Sequence, residues 1–287
     1  MAWLDVSGSH SLQAFVNDLM RDLPDPKREK KTLYDAKVDR ALSQAKTDEE
    51  KAVIDRRRYI PIEALGSGSD YTAFLDHVGI ASMDMGLNGR GGDGTYHSTY
   101  DNPTWFKKYI DPQFKYSVLA SQVTGVALLR LADAEILPFD YESYGRQILE
   151  YVGEIEQQAV KASAEDARKV DFAGLRAAAD AFAQAGAAIR TRGETLLSAP
   201  DKSELARINR RLMMAERDLI DPAGLPDRPW YRHVIYAPGL YTGYGVKTIP
   251  GVREAIDAGN FTRAAEQARV TIRALQRAAR TLSGEGS

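Results

Sequence analysis

Four histidines are present, His10, His77, His97 and His233. Histidine is the side chain that most readily ligates metals and moves protons near neutral pH. None of the four has a second histidine four residues on, so the chain lacks a His-Glu-x-x-His metal helix. His10 stands where a helix is expected to start. His77 closes a short helix before Gly79. His233 sits in the aromatic run Trp230-Tyr231-Arg232-His233-Val234-Ile235-Tyr236. A surface or hydrogen-bonded structural histidine is the simpler reading of each. His97 has the most informative setting, Gly94-Thr95-Tyr96-His97-Ser98-Thr99-Tyr100-Asp101, after a glycine-rich loop and an expected strand. Such a position brings side chains to the edge of a sheet, where sites form. A neutral imidazole there is a good zinc ligand, and a neighbouring phenol can donate a hydrogen bond to a developing oxyanion.

Two glycine-rich segments invite other readings. Asn88-Gly89-Arg90-Gly91-Gly92-Asp93-Gly94 lacks the Lys-Ser/Thr ending of a phosphate-binding loop and does not lead into a helix, so a flexible connection is expected. Gly66-Ser67-Gly68-Ser69 does not have the Gly-x-Ser-x-Gly spacing of a nucleophile elbow, so a serine hydrolase is not expected.

The elements that must position these residues change character near Leu137-Pro138. Before it, Trp3–Val6 reads as a buried strand. Ser11–Leu23 reads as a helix with Leu12, Phe15, Val16, Leu19 and Met20 on one face. Some helix is expected around Glu49–Arg57, a short helix over Asp70–His77 and a buried strand over Gly79–Met85. Tyr116–Leu131 is apolar nearly all round and is expected to lie buried against a sheet. After Leu137-Pro138 the pattern is helical. Tyr144–Val160 carries one apolar face. Leu175, Ala179, Phe182, Gly186, Ile189, Gly193 and Leu196 form a seam with small residues where a helix can approach. A third seam is Leu205, Ile208, Leu212, Ala215 and Leu219, and a last helix is expected over Phe261–Leu282. Four amphipathic helices imply a bundle.

Composition bounds the partners. Lys+Arg number 38 against 40 Asp+Glu, which gives no reason to expect nucleic acid or an anionic membrane. Cysteine is absent, which excludes disulfides and thiolate metal sites. No apolar run approaches the roughly 20 residues that cross a bilayer. The first residues show no basic region followed by a long apolar stretch, so no signal peptide is expected. They read instead as a strand entered halfway.

Several ordered segments together resemble the glutamate carboxypeptidase II (prostate-specific membrane antigen) family. They are Leu65-Gly66-Ser67-Gly68-Ser69-Asp70, Gly79-Ile80-Ala81-Ser82, Tyr96-His97-Ser98-x-Tyr100, Leu137-Pro138-Phe139-Asp140, and Asp221–Pro229 followed by Tyr231–Pro238. The resemblance covers nearly the whole chain. It implies an α/β plus all-α protein: a partial α/β zinc-peptidase sandwich over residues 1–137, then a helical-bundle dimerisation domain like that of the transferrin receptor over 138–287. His97 resembles the final histidine of a two-zinc centre, and Tyr96 the tyrosine that polarises the scissile carbonyl. Ser67, Gly68 and Ser69 resemble positions lining the substrate cleft, and Tyr244 a cleft tyrosine from the helical domain.

The resemblance places the other four metal ligands and the general base upstream of this chain. The complete enzyme is expected to bind two zinc ions and a peptide substrate, and to form a homodimer through its helical domain. This chain alone is expected to hold no zinc and to be inactive, since a zinc site needs at least three protein ligands. Full-length relatives generally act outside the cytoplasm. Gly243 replaces the lysine that pairs with an acidic substrate in glutamate-preferring members, and Asp84 and Gly86 replace two arginines, so a broader peptidase is expected. A non-catalytic, receptor-like association module is the alternative.

Overall fold

A computed structural model describes residues 3–56, 59–89 and 95–285. Residues 90–94 of the glycine-rich loop, including Gly94, lie outside the described residues. Helix accounts for 61% of the described residues, so the expected α/β half is carried mainly by helices. The chain divides into two compact units.

One unit comprises Met1–Val6, Phe15–Pro61 and Met85–Ala134. Strand β1 (Trp3–Gly8) alternates in burial, as a strand with one covered face must, with Leu4 and Val6 inward. Helix α1 (Gln13–Asp22) buries Phe15, Val16, Leu19 and Met20, the face read from spacing. Helix α2 (Leu33–Gln44) starts in a capping box. The Thr32 hydroxyl accepts from Asp35 N–H at 3.2 Å, and the Asp35 carboxylate accepts from Thr32 N–H at 2.8 Å. Helix α3 (Asp48–Arg56) buries nothing. Strand β2 (Met83–Asn88) pairs with β1 in a two-stranded sheet, the only pairing β1 has among the named strands described. A short helix α4 (Pro103–Trp105) runs on into a π-helical turn, Phe106–Ile110.

Helix α5 (Lys115–Ala132) departs from expectation. Its apolar surface is not all buried: Leu119, Val123 and Ala127 are covered, whereas Leu128 is 63% and Leu129 71% exposed. The covered residues recur every four positions and define one narrow seam.

The second unit comprises Ser7–Ala14, Ile62–Asp84 and Glu135–Ser287. It holds a 3-10 turn (His10–Leu12) and a π-helical turn (Ala73–Val78). These precede helices α6 (Tyr141–Ala162), α7 (Ala164–Ala167), α8 (Phe172–Leu197) and α9 (Lys202–Arg217). Strands β3 (Tyr236–Pro238) and β4 (Val246–Thr248) pair antiparallel, Tyr236 opposite Thr248, and helices α10 (Pro250–Asp257) and α11 (Phe261–Ser283) complete it. α8 packs between α6 and α11, and α9 packs on α11.

The four long helices are those expected from the seams. Asp140, Asp171, Asp201 and Asn260 each accept a backbone N–H at the N-terminus of one of them. Ile148, Val152, Leu175, Phe182, Ile208 and Leu275 are fully covered, each stabilising the unit by roughly 1.5–3 kcal/mol. The α6–α8 crossing is close: a Cβ on Gly145 would stand 2.6 Å from the Ala183 Cβ.

Candidate functional site

The Gly66–Ser69 turn is held by groups from three segments. Leu65 anchors it in the core of the second unit. Ser67 N–H donates to the Tyr244 carbonyl at 3.1 Å, and the Tyr71 hydroxyl donates to the Ser67 carbonyl at 3.0 Å. Burial raises the Tyr71 phenol above its ordinary pKa, with smaller contributions from Asp84 and Asp76, so it stays a donor. The Ser69 carbonyl accepts from Thr72 N–H at 3.1 Å and from its hydroxyl at 2.8 Å. Gly68 has φ +112, a conformation open to glycine, and a Cβ there would meet the Tyr244 ring at 3.0 Å.

Tyr244 comes from the loop joining β3 to β4. That loop is closed by Gly239 N–H donating to the Gly245 carbonyl at 2.8 Å and by the Thr242 hydroxyl donating to the same carbonyl at 2.6 Å. Ser67, Gly68, Ser69 and Tyr244 are therefore one surface. The Gly68 peptide and Ser69 face solvent, and Tyr244 is 72% exposed. Solvent-facing backbone at Gly68, two hydroxyls and an aromatic face suit an extended peptide.

Tyr96 and His97 lie in the other unit. Both are exposed, their rings stack at a centroid separation of 3.8 Å, and His97 has φ +63. The following turn is closed by the Ser98 hydroxyl donating to the Thr95 carbonyl at 2.6 Å. Among the described residues no group of three or more His, Asp or Glu side chains is placed to hold a metal. His97 is a single imidazole, so the described residues do not by themselves fit the zinc that the resemblance implies.

His10 and His233 are hydrogen-bonded structural histidines, as expected, but the buried polar cluster they form in the second unit with Glu216 and the tyrosines was not marked by the sequence. His10 Nδ1 lies 2.6 Å from the Tyr236 hydroxyl, and His10 Nε2 lies 3.2 Å from the Tyr151 hydroxyl. Burial lowers the His10 pKa to about 4. Nearby, His233 Nδ1 accepts from the N–H groups of Ile235 and Tyr236, so Nε2 carries the proton and donates to Glu216 at 3.3 Å. Glu216 also accepts from the Tyr144 and Ser11 hydroxyls. Asp76 is fully buried, neither of its carboxylate oxygens has a hydrogen-bond partner among the described residues, and burial raises its pKa to about 8. No periodic signal marks these positions, because single polar residues in apolar seams leave the period unchanged.

Residues 170–283 match the transferrin receptor-like dimerisation domain. Over 192 residues the chain is 41% identical to the probable glutamate carboxypeptidase LAMP1 of Arabidopsis thaliana, covering 67% of this chain and 27% of that protein. It is 39% identical over 212 residues to a probable glutamate carboxypeptidase of Arthroderma benhamiae, covering 71% and 28%. It is 30% identical over 233 residues to the aminopeptidase NAALADL1 of Rattus norvegicus, covering 76% and 31%. The chain thus spans less than a third of the length of these relatives. It belongs to the glutamate carboxypeptidase-like family, corresponds to that family's C-terminal region, and carries the transferrin receptor-like dimerisation domain.

Proposed function

We propose that this chain forms the substrate-cleft and dimerisation portion of a zinc-dependent exopeptidase, and that the metal chemistry needs residues beyond it. Residues 1–137 belong to the peptidase part and 138–287 to the helical dimerisation part. The observation that carries the reading is the seating of Tyr244 on Gly68. Two segments that the resemblance assigns separately to substrate binding make one surface. Relatives named as carboxypeptidases and as an aminopeptidase both match, so the reaction class is removal of a terminal residue, from either end.

The chain's own residues bind and orient. The Gly68 peptide group pairs with the substrate backbone, the Ser67 and Ser69 hydroxyls hydrogen-bond beside it, and the Tyr244 ring covers it. Tyr96 is assigned as the donor to the scissile carbonyl oxygen and His97 as one metal ligand; zinc, when bound, supplies an activated water. A tripeptide titrated into the isotopically labelled chain is expected to shift the amide signals of Gly68, Ser69 and Tyr244. Shifts confined to other regions would overturn the assignment of this surface.

A second reading is a non-catalytic association module. The lone imidazole favours it, and one relative, at 25% identity, is named an inactive zinc metalloprotease. The tripeptide titration separates the readings, since only the first expects shifts at Gly68, Ser69 and Tyr244. Both expect no turnover from this chain with zinc and peptides, and turnover abolished by His97→Ala would mean that the chain completes a site.

A further inference from the structure

The outward faces of α9 and α11 concentrate positive charge. The helices are neighbours at their C-terminal ends, where the Arg277 guanidinium donates to the Asp218 and Ile220 carbonyls at 3.0 Å each. α9 exposes Arg210, Met213, Met214 and Arg217, and α11 exposes Arg273 and Arg280. Each arginine pair is seven residues apart, which puts its members on one face about 10 Å apart along the axis. Packed helices lie about 8–10 Å apart, so the four guanidinium groups frame a two-helix face.

Among the described residues none of these four arginines has a carboxylate partner, whereas Arg207 beside them is paired with Glu204 at 2.6 Å. Glu266 is the one acid within α11. The whole chain carries a net charge of only −2, so the excess is local.

We propose that this face docks an acidic segment of another protein. Charge complementarity sets the sign of the occupant. The composition sets its class: every cation of the frame is arginine, and Met213 and Met214 stand 52% and 37% exposed between them. Arginine and methionine are enriched at protein interfaces, where the planar guanidinium grips carboxylates in pairs. Attraction to anionic headgroups draws on lysine equally well. A second copy is disfavoured, because a two-fold contact sets the same patch against itself, arginine facing arginine. The inference rests on charge placement in the helical unit and does not depend on the peptidase reading.

The test uses the full chain and a labelled helical peptide with glutamates seven residues apart and leucines between, against a scrambled peptide of the same composition. Fluorescence anisotropy is expected to show preference for the ordered peptide, weakening about tenfold or more on raising salt from 50 to 200 mM. Arg210→Glu with Arg217→Glu, or Arg273→Glu with Arg280→Glu, abolishes that preference, while Lys161→Glu with Arg168→Glu leaves it. All replaced residues are exposed, and thermal unfolding verifies that each variant is folded. Lysine at the four arginines weakens binding although charge is kept. Equal binding of the scrambled peptide, full affinity in the lysine variant, or binding only to phosphatidylserine vesicles would each overturn the proposal.

Discussion

His10 and Tyr236 lie 226 positions apart, and the imidazole Nδ1 stands 2.6 Å from the phenol oxygen inside the helical unit. His10 N–H donates to the same oxygen at 3.2 Å, so one hydroxyl ties both the backbone and the ring of the N-terminal segment. The ring is neutral because burial outweighs everything that favours its cation.

Between pH 6.5 and about 4 the unfolded chain therefore binds a proton that the folded chain refuses. Stability falls as pH drops through that window. The full shift corresponds to on the order of 3 kcal/mol. Urea unfolding of His10→Gln against pH is expected to lose this acid limb. An unchanged acid limb would remove His10 as its source.

Asp76 acts with the opposite sign. Its folded pKa of about 8 lies above the ordinary 3.8, so the folded state holds a proton that the unfolded chain releases. Its contribution falls as pH rises from about 4 to 8. Below pH 6.5 the two groups oppose each other and mask each other. Asp76→Asn is expected to flatten the decline between pH 6.5 and 8 and to steepen the acid limb. A wild-type curve that keeps its slope between pH 6.5 and 8 in the variant would contradict this.

The amphipathic helices were legible, and the polar core was not. Ile208, Leu212 and Ala215 announce their face by spacing alone, and all are buried. Glu216 follows Ala215 directly and is 1% exposed, yet spacing gives a charged residue there no reason to point inward. The α5 seam failed for a related reason: an all-apolar helix has no polar face to show which side is covered. Gly68 and Tyr244 were named only through a family pattern, since their meeting depends on how two loops close.

Gly68→Ala is expected to destabilise the unit by about 1–3 kcal/mol, because alanine must hold φ +112 and its Cβ meets the Tyr244 ring. The same variant should weaken tripeptide binding more than Tyr244→Phe, which keeps the ring. Chemical denaturation and the peptide titration measure the two effects separately. Equal stability and equal binding in Gly68→Ala would show that the turn relaxes freely.

The match over residues 170–283 leads us to expect a homodimer. With the outer face of α9 and α11 given to an acidic partner, the two-fold interface is expected elsewhere. Sedimentation equilibrium of Arg273→Glu with Arg280→Glu should give the wild-type association constant within about threefold, since charges outside an interface leave its contacts unchanged and act only through screened long-range fields. A large gain in association on reversing these charges would put that face at the axis.

Glu216 joins three elements through one carboxylate. It accepts from the Ser11 hydroxyl at 3.3 Å, the Tyr144 hydroxyl at 3.2 Å and His233 Nε2 at 3.3 Å. Removing it strands three buried donors that water cannot reach, and such losses cost about 1–3 kcal/mol per group. Glu216→Ala is therefore expected to destabilise by about 3–5 kcal/mol, the range for breaking a buried pair. Glu216→Gln keeps one acceptor oxygen but sets an amide NH2 beside hydroxyl or imidazole donors, so it should fall between. Pairing Glu216→Ala with Tyr144→Phe and Ser11→Ala removes two of the stranded donors and leaves His233 Nδ1 in place for the N–H groups of Ile235 and Tyr236. That triple variant should recover part of the loss in urea unfolding; strictly additive destabilisation would mean that the three groups do not act as one network.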